Sequence, residues 1–334
     1  MIRGYLLGGC LLSVVTLTMA SHEGSDFAKA AGGIPTTERL DLRQVSFLVT
    51  AQPEFQDRLY TRAIKQLREA NISWPESDPA TEKSATLKLM LKPEPLEALC
   101  PGKVLYAPSF MLIEEVIVER TAEVIKDSTW SSTKAIHVRE PLTSEEIEND
   151  LDGFISRFID NFRMGNPTVS PGTKRLQKNR SSEKAAPTRS MGGDVSSGIR
   201  NVSLKGLKLE AVNFLLSAGA SYKPLYSRAM ELASKEGIKL AFRPNAKTPA
   251  TLTLTLDSRP LDEVCPGKVL YEASLELVEE VKIRRNSSVY LWTTTWSRRN
   301  VQVTEPVSTN KLEADMNGLL GQFIASYKLD VAKK

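Results

Sequence analysis

The chain is predicted to be an α+β protein: two tandem homologous β-α-β-β-β-α domains, each a mainly antiparallel sheet with two helices on one face. The first observation behind this is an internal repeat. Cys100-Pro101-Gly102-Lys103-Val104-Leu105-Tyr106 returns letter for letter as Cys265-Pro266-Gly267-Lys268-Val269-Leu270-Tyr271, and the similarity extends on both sides. Each unit is roughly 120 residues, far longer than a solenoid repeat, so each copy is expected to hold its own core. The second observation is the spacing of apolar residues, which alternates between strand and helix periods in the same order in both copies.

Each copy opens on a short β-type run, Val45-Ser46-Phe47-Leu48-Val49-Thr50 in the first and Val212-Asn213-Phe214-Leu215-Leu216-Ser217 in the second. A helical period follows at Phe55, Leu59, Ala63, Ile64 and Leu67, matched by Leu225, Ala229, Met230 and Leu232. Asn71 and Gly237 stand where a left-handed residue ends a helix. Leu87, Leu89 and Leu91 then alternate with polar residues, as Leu252, Leu254 and Leu256 do, which is the signature of a half-buried strand. In the repeated motif, Pro-Gly suits the central positions of a type II turn feeding a hairpin. The strand after it is long, with Phe110, Leu112, Val116 and Val118 on one side and Leu275, Leu277, Val281 and Ile283 at the equivalent sites. A further strand is expected at Ala135 to Arg139 and at Val289 to Val303, ended by Glu140-Pro141 and Glu305-Pro306. The closing helix is capped by Thr143 or Ser308 and buries Ile147, Leu151, Phe154, Ile155, Phe158 and Phe162, or Leu312, Met316, Leu319, Leu320, Phe323 and Tyr327. The sheet edges left over are open to pairing between the domains or with a partner.

Residues 1–20 read as a signal peptide: Arg3 precedes an apolar stretch from Tyr5 to Met19, and Thr18-Met19-Ala20 places cleavage after Ala20. A rival reading takes Leu7-Gly8-Gly9-Cys10 as a lipoprotein box with Cys10 acylated, which would leave a membrane-anchored protein. Residues 21–40 are expected to be disordered, 41–165 to form the first domain and 201–330 the second. Between them, 166–200 holds Lys174, Arg175, Lys178, Arg180, Lys184 and Arg189 against Glu183 and Asp194, a composition that predicts a basic, flexible linker within a chain of net charge +4. Membrane contact is expected only through a lipidated Cys10 or this linker. The linker has no aromatic residue to stack on bases, so no specific nucleic-acid binding is expected.

Cys100 and Cys265 are equivalent residues. Across a pseudo-two-fold axis they would meet and close an interdomain disulfide in an oxidising compartment, while free or intermolecular thiols remain the alternative. The chain has two histidines. His22 lies near the N-terminus, and His137 has Gln302 as its counterpart. No Ser-His-Asp or Cys-His set, zinc spacing or glycine-rich phosphate loop is present, so neither a cofactor nor catalysis is expected. Glu114-Glu115 and Glu279-Glu280 recur; adjacent strand residues face opposite ways and so make no paired-carboxylate site within one domain, and they read as a structural ion pair with the equally recurrent Arg120 and Arg285, or as a solvated rim, in preference to a binding site. Tyr290, Trp292 and Trp296, with Trp130 as the near match in the first copy, form either a sticky partner-binding strand or the outer wall of the core.

The strand-helix opening, the alternating Leu-Thr strand, Val278-Glu279-Glu280-Val281, Thr295-Trp296-Ser297 and the last helix ending Phe323-Ile324-Ala325-Ser326-Tyr327 resemble an uncharacterised group of exported bacterial proteins. The element order is also similar to that of small envelope accessory domains. The resemblance implies a periplasmic or secreted location and a helper role in binding or envelope assembly, with a protein or envelope component as partner, but no reaction. The alternative is a hydrolase or transferase acting on envelope glycans through Glu148, Asp150, Glu313 or Asp315. Residues two apart on a helix diverge, which argues against that reading.

Overall fold

The structure, a computed structural model, describes residues 37–72, 74, 83–166, 199–218, 222–240 and 250–332. The expected signal peptide with Cys10, the segment up to residue 36 and the linker cations lie outside these residues. The first half contains β1 (Val45–Thr50), α1 (Pro53–Glu69), β2 (Ala85–Met90), β3 (Glu94–Pro95), β4 (Val104–Tyr106), β5 (Ser109–Val118), β6 (Glu123–Thr133), β7 (His137–Arg139) and α2 (Ser144–Gly165). The second contains β8 (Ile199–Asn201), β9 (Val212–Ser217), α3 (Tyr222–Lys235), β10 (Ala250–Pro260), β11 (Val269–Ile283), β12 (Asn286–Thr304) and α4 (Thr309–Ala332). The fold is α+β, as expected. β1 runs parallel to β2 and β9 parallel to β10, while the other described pairings are antiparallel.

The caps follow from the sequence. Asn71 and Gly237 adopt positive φ, 61° and 75°, and Ile72 N and Ile238 N donate to Leu67 O and Ala233 O, which closes each first helix with the same left-handed motif. Thr143 and Glu146 form a reciprocal capping box on α2. In the repeated turn, Gly102 and Gly267 take φ of 72° and 76°, and Lys103 N and Lys268 N return to Cys100 O and Cys265 O.

Two prolines make the halves differ. Pro93 and Pro108 occupy the positions of Ser258 and Ala273 and cannot donate to a ladder. β10 and β11 therefore run on for 11 and 15 residues, whereas the first half breaks the same course into β2 with β3 and β4 with β5. β3, β4 and β7 form a separate three-stranded sheet.

The hairpin partner of β5 is β6, upstream of the strand expected at Ala135 to Arg139, and only His137–Arg139 of that stretch is a strand. β6 escapes the periodicity test because Asp127, Thr129, Ser131 and Ser132 are buried beside a single large core residue, Trp130. The expected disordered segment also ends earlier than residue 40. Thr37 is buried and donates to Asn161 O at 2.9 Å, next to Gly165, whose missing Cβ leaves room for the backbone of Glu38. At the other boundary, the last two residues assigned to the linker belong to β8, which pairs with β12.

Each half has its own core beneath its helices. Phe47, Phe110, Trp130, Phe154 and Phe158 centre the first, and Phe214, Tyr271, Trp296 and Phe323 the second. One sheet nevertheless spans both halves in the order β1-β2-β5-β11-β10-β9, with β6 beside β5 and β12 beside β11. The halves join through β5 and β11.

Candidate functional site

The feature that both halves build together is the seam. Val118 pairs with Val281, Ile117 with Lys282 and Val116 with Ile283 in antiparallel register. Val116 and Val281 are equivalent, as are Val118 and Ile283, so the register is its own mirror under a pseudo-two-fold axis passing between Ile117 and Lys282. Two further contacts join equivalents. Cys100 and Cys265 are linked as a disulfide with Cα atoms 5.8 Å apart, packed among Leu105, Leu270, Val138 and Val303. Thr293 donates its hydroxyl to Asp127, and both side chains are buried.

The seam also explains the inward glutamates. Glu114 and Glu279 are buried beside Val116, Val118 and Val281, where an uncompensated carboxylate would be costly. Arg285 reaches Glu114 through Nε at 2.5 Å and Nη2 at 3.1 Å, and Arg120 reaches Glu279 through Nε at 2.7 Å and Nη2 at 3.0 Å. Each pair is a fork across the seam. The arginines sit at the tips of the β5-β6 and β11-β12 hairpins, so each hairpin grips the other half. The remaining guanidinium nitrogen is also mirrored: Arg120 Nη1 donates to Ser203 O and Lys205 O, and Arg285 Nη1 to Glu38 O.

A one-residue bulge completes each carboxylate site. The ladder shifts between Leu112 and Ile113 and between Leu277 and Val278, leaving Thr129 and Thr295 as extra residues whose hydroxyls bond Glu114 and Glu279. The same bulges divide the aromatic residues between the two faces of the sheet. Without them, Tyr290, Trp292 and Trp296 would share one face. The extra residue turns Trp296 into the core opposite Leu277, with its ring centroid 5.1 Å from that of Phe323, and Trp130 likewise lies opposite Leu112, 5.4 Å from Phe158. Trp130 and Trp296 are therefore core residues, not a partner surface. Tyr290 and Trp292 stay half-buried on the opposite face, with Lys282 Nζ 5.0 Å from the Tyr290 ring centroid.

A second polar set recurs within each half. The Tyr106 hydroxyl donates to Asp150 at 2.9 Å and that of Tyr271 to Asp315 at 2.8 Å, tying a strand to the last helix. Burial first, and then the neighbouring carboxylate, holds both phenols well above the usual tyrosine range, so they remain donors. Lys103 pairs with Glu140, and Lys268 with Glu305. Glu148 is bound by Arg58 at 3.0 Å and Arg62 at 3.1 Å, whereas Asp150 pairs with Tyr106 and Lys134, and Asp315 with Tyr271 and Lys311. His137 is exposed at β7, opposite Tyr106, as Gln302 is opposite Tyr271. Among the described residues, no three His, Cys, Asp or Glu side chains group as metal ligands, and no helix is long and apolar enough to cross a membrane.

The sequence pairs Glu114, Glu279, Arg120 and Arg285 as candidates but gives no bonding role to Asp127, Thr129, Thr295, Tyr106 or Tyr271. Thr129 and Thr295 recur beside an aligned Trp, a signal that becomes meaningful only with the bulge.

No protein-family model matches the chain, and no curated protein does. Solved structures similar to parts of it include a PelC dodecamer from Paraburkholderia phytofirmans, 12% identical, covering 35% of this chain and 85% of that one at a TM-score of 0.21. A protein assigned as a lipoprotein from Caulobacter crescentus is 10% identical and covers 38% and 94% at a TM-score of 0.19. The rare lipoprotein B from Shewanella oneidensis is 16% identical and covers 35% and 88% at a TM-score of 0.14. The neighbours thus include lipoproteins, and likenesses this distant carry no argument about function.

Proposed function

We propose that this chain is an exported, non-enzymatic binding or envelope-assembly accessory protein, in which two duplicated domains are joined into one scaffold that presents its outer surfaces to a protein or envelope partner. The observation that carries this reading is the use of the duplicated polar groups. The recurrent Glu-Arg, Tyr-Asp and Lys-Glu sets are bonded to one another, across the seam or between strand and helix, so what duplication preserved is a framework. Tyr290 and Trp292, on the half-buried face of β12, are the partner-contact residues in this proposal.

The test is site-directed crosslinking from Trp292 and Tyr290 in living cells, followed by recovery from the envelope fraction. The expected result is a specific, saturable partner captured by the natural sequence and lost in Trp292→Ala, with Glu148→Gln and Glu313→Gln leaving capture intact. Recovery of the protein alone from both positions counts against the reading. So does a catalytic turnover that Glu148→Gln or Glu313→Gln abolishes in a folded protein.

A further inference from the structure

The seam has two parts that respond differently to a change of partner. The reciprocal part uses residues that both halves own: Arg120 with Glu279, Arg285 with Glu114, and the valine-rich strand pair. It would serve two first halves, two second halves or one of each. The other part is one-sided. Glu115 accepts from Arg284 Nη1 at 2.6 Å, and Glu119 pairs with Lys282. The first half's own equivalents of Lys282 and Arg284 are Ile117 and Glu119, so it lacks both cations. On the axis, Asp127 is 1% exposed; one carboxylate oxygen takes the hydroxyl of Thr293, its equivalent residue, and the other the Ser128 N–H at 2.6 Å.

We infer that the seam is a selective docking surface: the first half accepts a second half, its own or that of another copy of this chain, and rejects a first half. Two first halves brought together would set Asp127 against Asp127 in a buried site, with Glu115 facing Glu119 at the rim and no cation between them. Like charges confined in a low-dielectric interface disfavour the wrong pair far more than an exposed pair would. Two second halves would meet with Thr293 facing Thr293 and Arg284 facing Glu280, so their only like charges, Lys282 against Lys282 and Arg284, lie at the solvent-accessible rim and not in the buried site. Among whole chains, however, every such pair leaves two first halves to pair with each other, so matched pairing prevails.

The test uses the full-length protein with a protease site placed between residues 175 and 190 and with Cys100→Ser and Cys265→Ser. It is cleaved after folding, unfolded in urea, refolded by dilution and weighed by native mass spectrometry. Pairs of first halves are expected at least about tenfold below random reassortment, because the wrong pairing carries the like-charge contacts. Asp127→Thr should raise them towards the random share, and Asp127→Asn, which keeps the shape and removes the charge, should do the same. A second readout keeps the chain uncut: Cys265→Ser is refolded at high concentration, and dimers linked through Cys100 should appear only when Asp127 is replaced. Pairs of first halves at the random level with Asp127 present, or no rise in either variant by either readout, would overturn the inference.

Discussion

Arg120 grips Glu279 with two nitrogens, at 2.7 and 3.0 Å, although the two residues belong to different halves of the chain, and Arg285 repeats the grip on Glu114. Sheet continuity, the disulfide and these two forks all act at one junction, so the junction should dominate the stability of the whole molecule.

Arg120→Ala leaves the Glu279 carboxylate buried without its main partner and should cost about 3–5 kcal/mol, and Arg285→Ala about the same. Adding Glu279→Gln to Arg120→Ala should recover part of that loss, since it removes the stranded charge. Urea unfolding of the four proteins of this cycle checks it. Independent, additive effects of Arg120→Ala and Glu279→Gln would mean the two residues do not interact.

The Cys100–Cys265 bond closes a loop with a sequence separation of 165. Replacing both cysteines by serine should destabilise the oxidised protein by about 2–5 kcal/mol, and reductant should have the same effect on the natural sequence while leaving the double variant unchanged. Equal unfolding midpoints with and without reductant would argue against the bond.

Trp296 and Trp292 stand four residues apart on β12 but on opposite faces of it. Trp296→Ala removes a ring packed on Phe323 and should cost about 3–5 kcal/mol. Trp292→Ala, on the half-buried outer face, should cost under about 1 kcal/mol. Thermal melts of the two variants check the contrast, and equal losses would contradict the bulge-driven turn of the strand.

Asp152 accepts from Arg62 Nε at 2.8 Å and Nη2 at 2.6 Å and also from Gln66, so the Arg62 hydrogen bonds in the first place, and Gln66 in support, hold its carboxyl below the usual aspartate range. A lowered carboxyl contributes stability that is complete above the unfolded value of about 3.9 and is lost as pH falls through the lower folded value. Asp152→Asn should therefore flatten the acid limb of the stability curve while altering the neutral region by a constant amount. An acid limb of unchanged slope would remove Asp152 from that account.

Much of the site was legible from equivalence alone. Glu114 with Glu279, Arg120 with Arg285 and Cys100 with Cys265 stand out because each recurs in the same relation to the shared motif, and a glutamate alternating with valines on a buried face calls for a cation. The rest depended on a single extra residue. Period-two reasoning carries Trp292 and Trp296 on one face of β12, and only the shift between Leu277 and Val278 separates them. β6 was invisible for a related reason: Asp127, Thr129 and Ser131 are buried by the seam and by neighbouring strands, so the strand has no apolar rhythm of its own.

The amino-acid sequence by itself determined the helices, caps and turns and the α+β class, because these rest on local periodicity, on backbone freedom at Asn71, Gly102, Gly237 and Gly267, and on a repeat that can be compared with itself. Only the tertiary structure decided which half each arginine serves. A residue equidistant in sequence logic from two equivalent glutamates has no local preference between them. The antiparallel register of β5 with β11 places Arg120 beside Glu279, Arg285 beside Glu114 and Cys100 beside Cys265, and so joins the two halves of the chain in a single sheet.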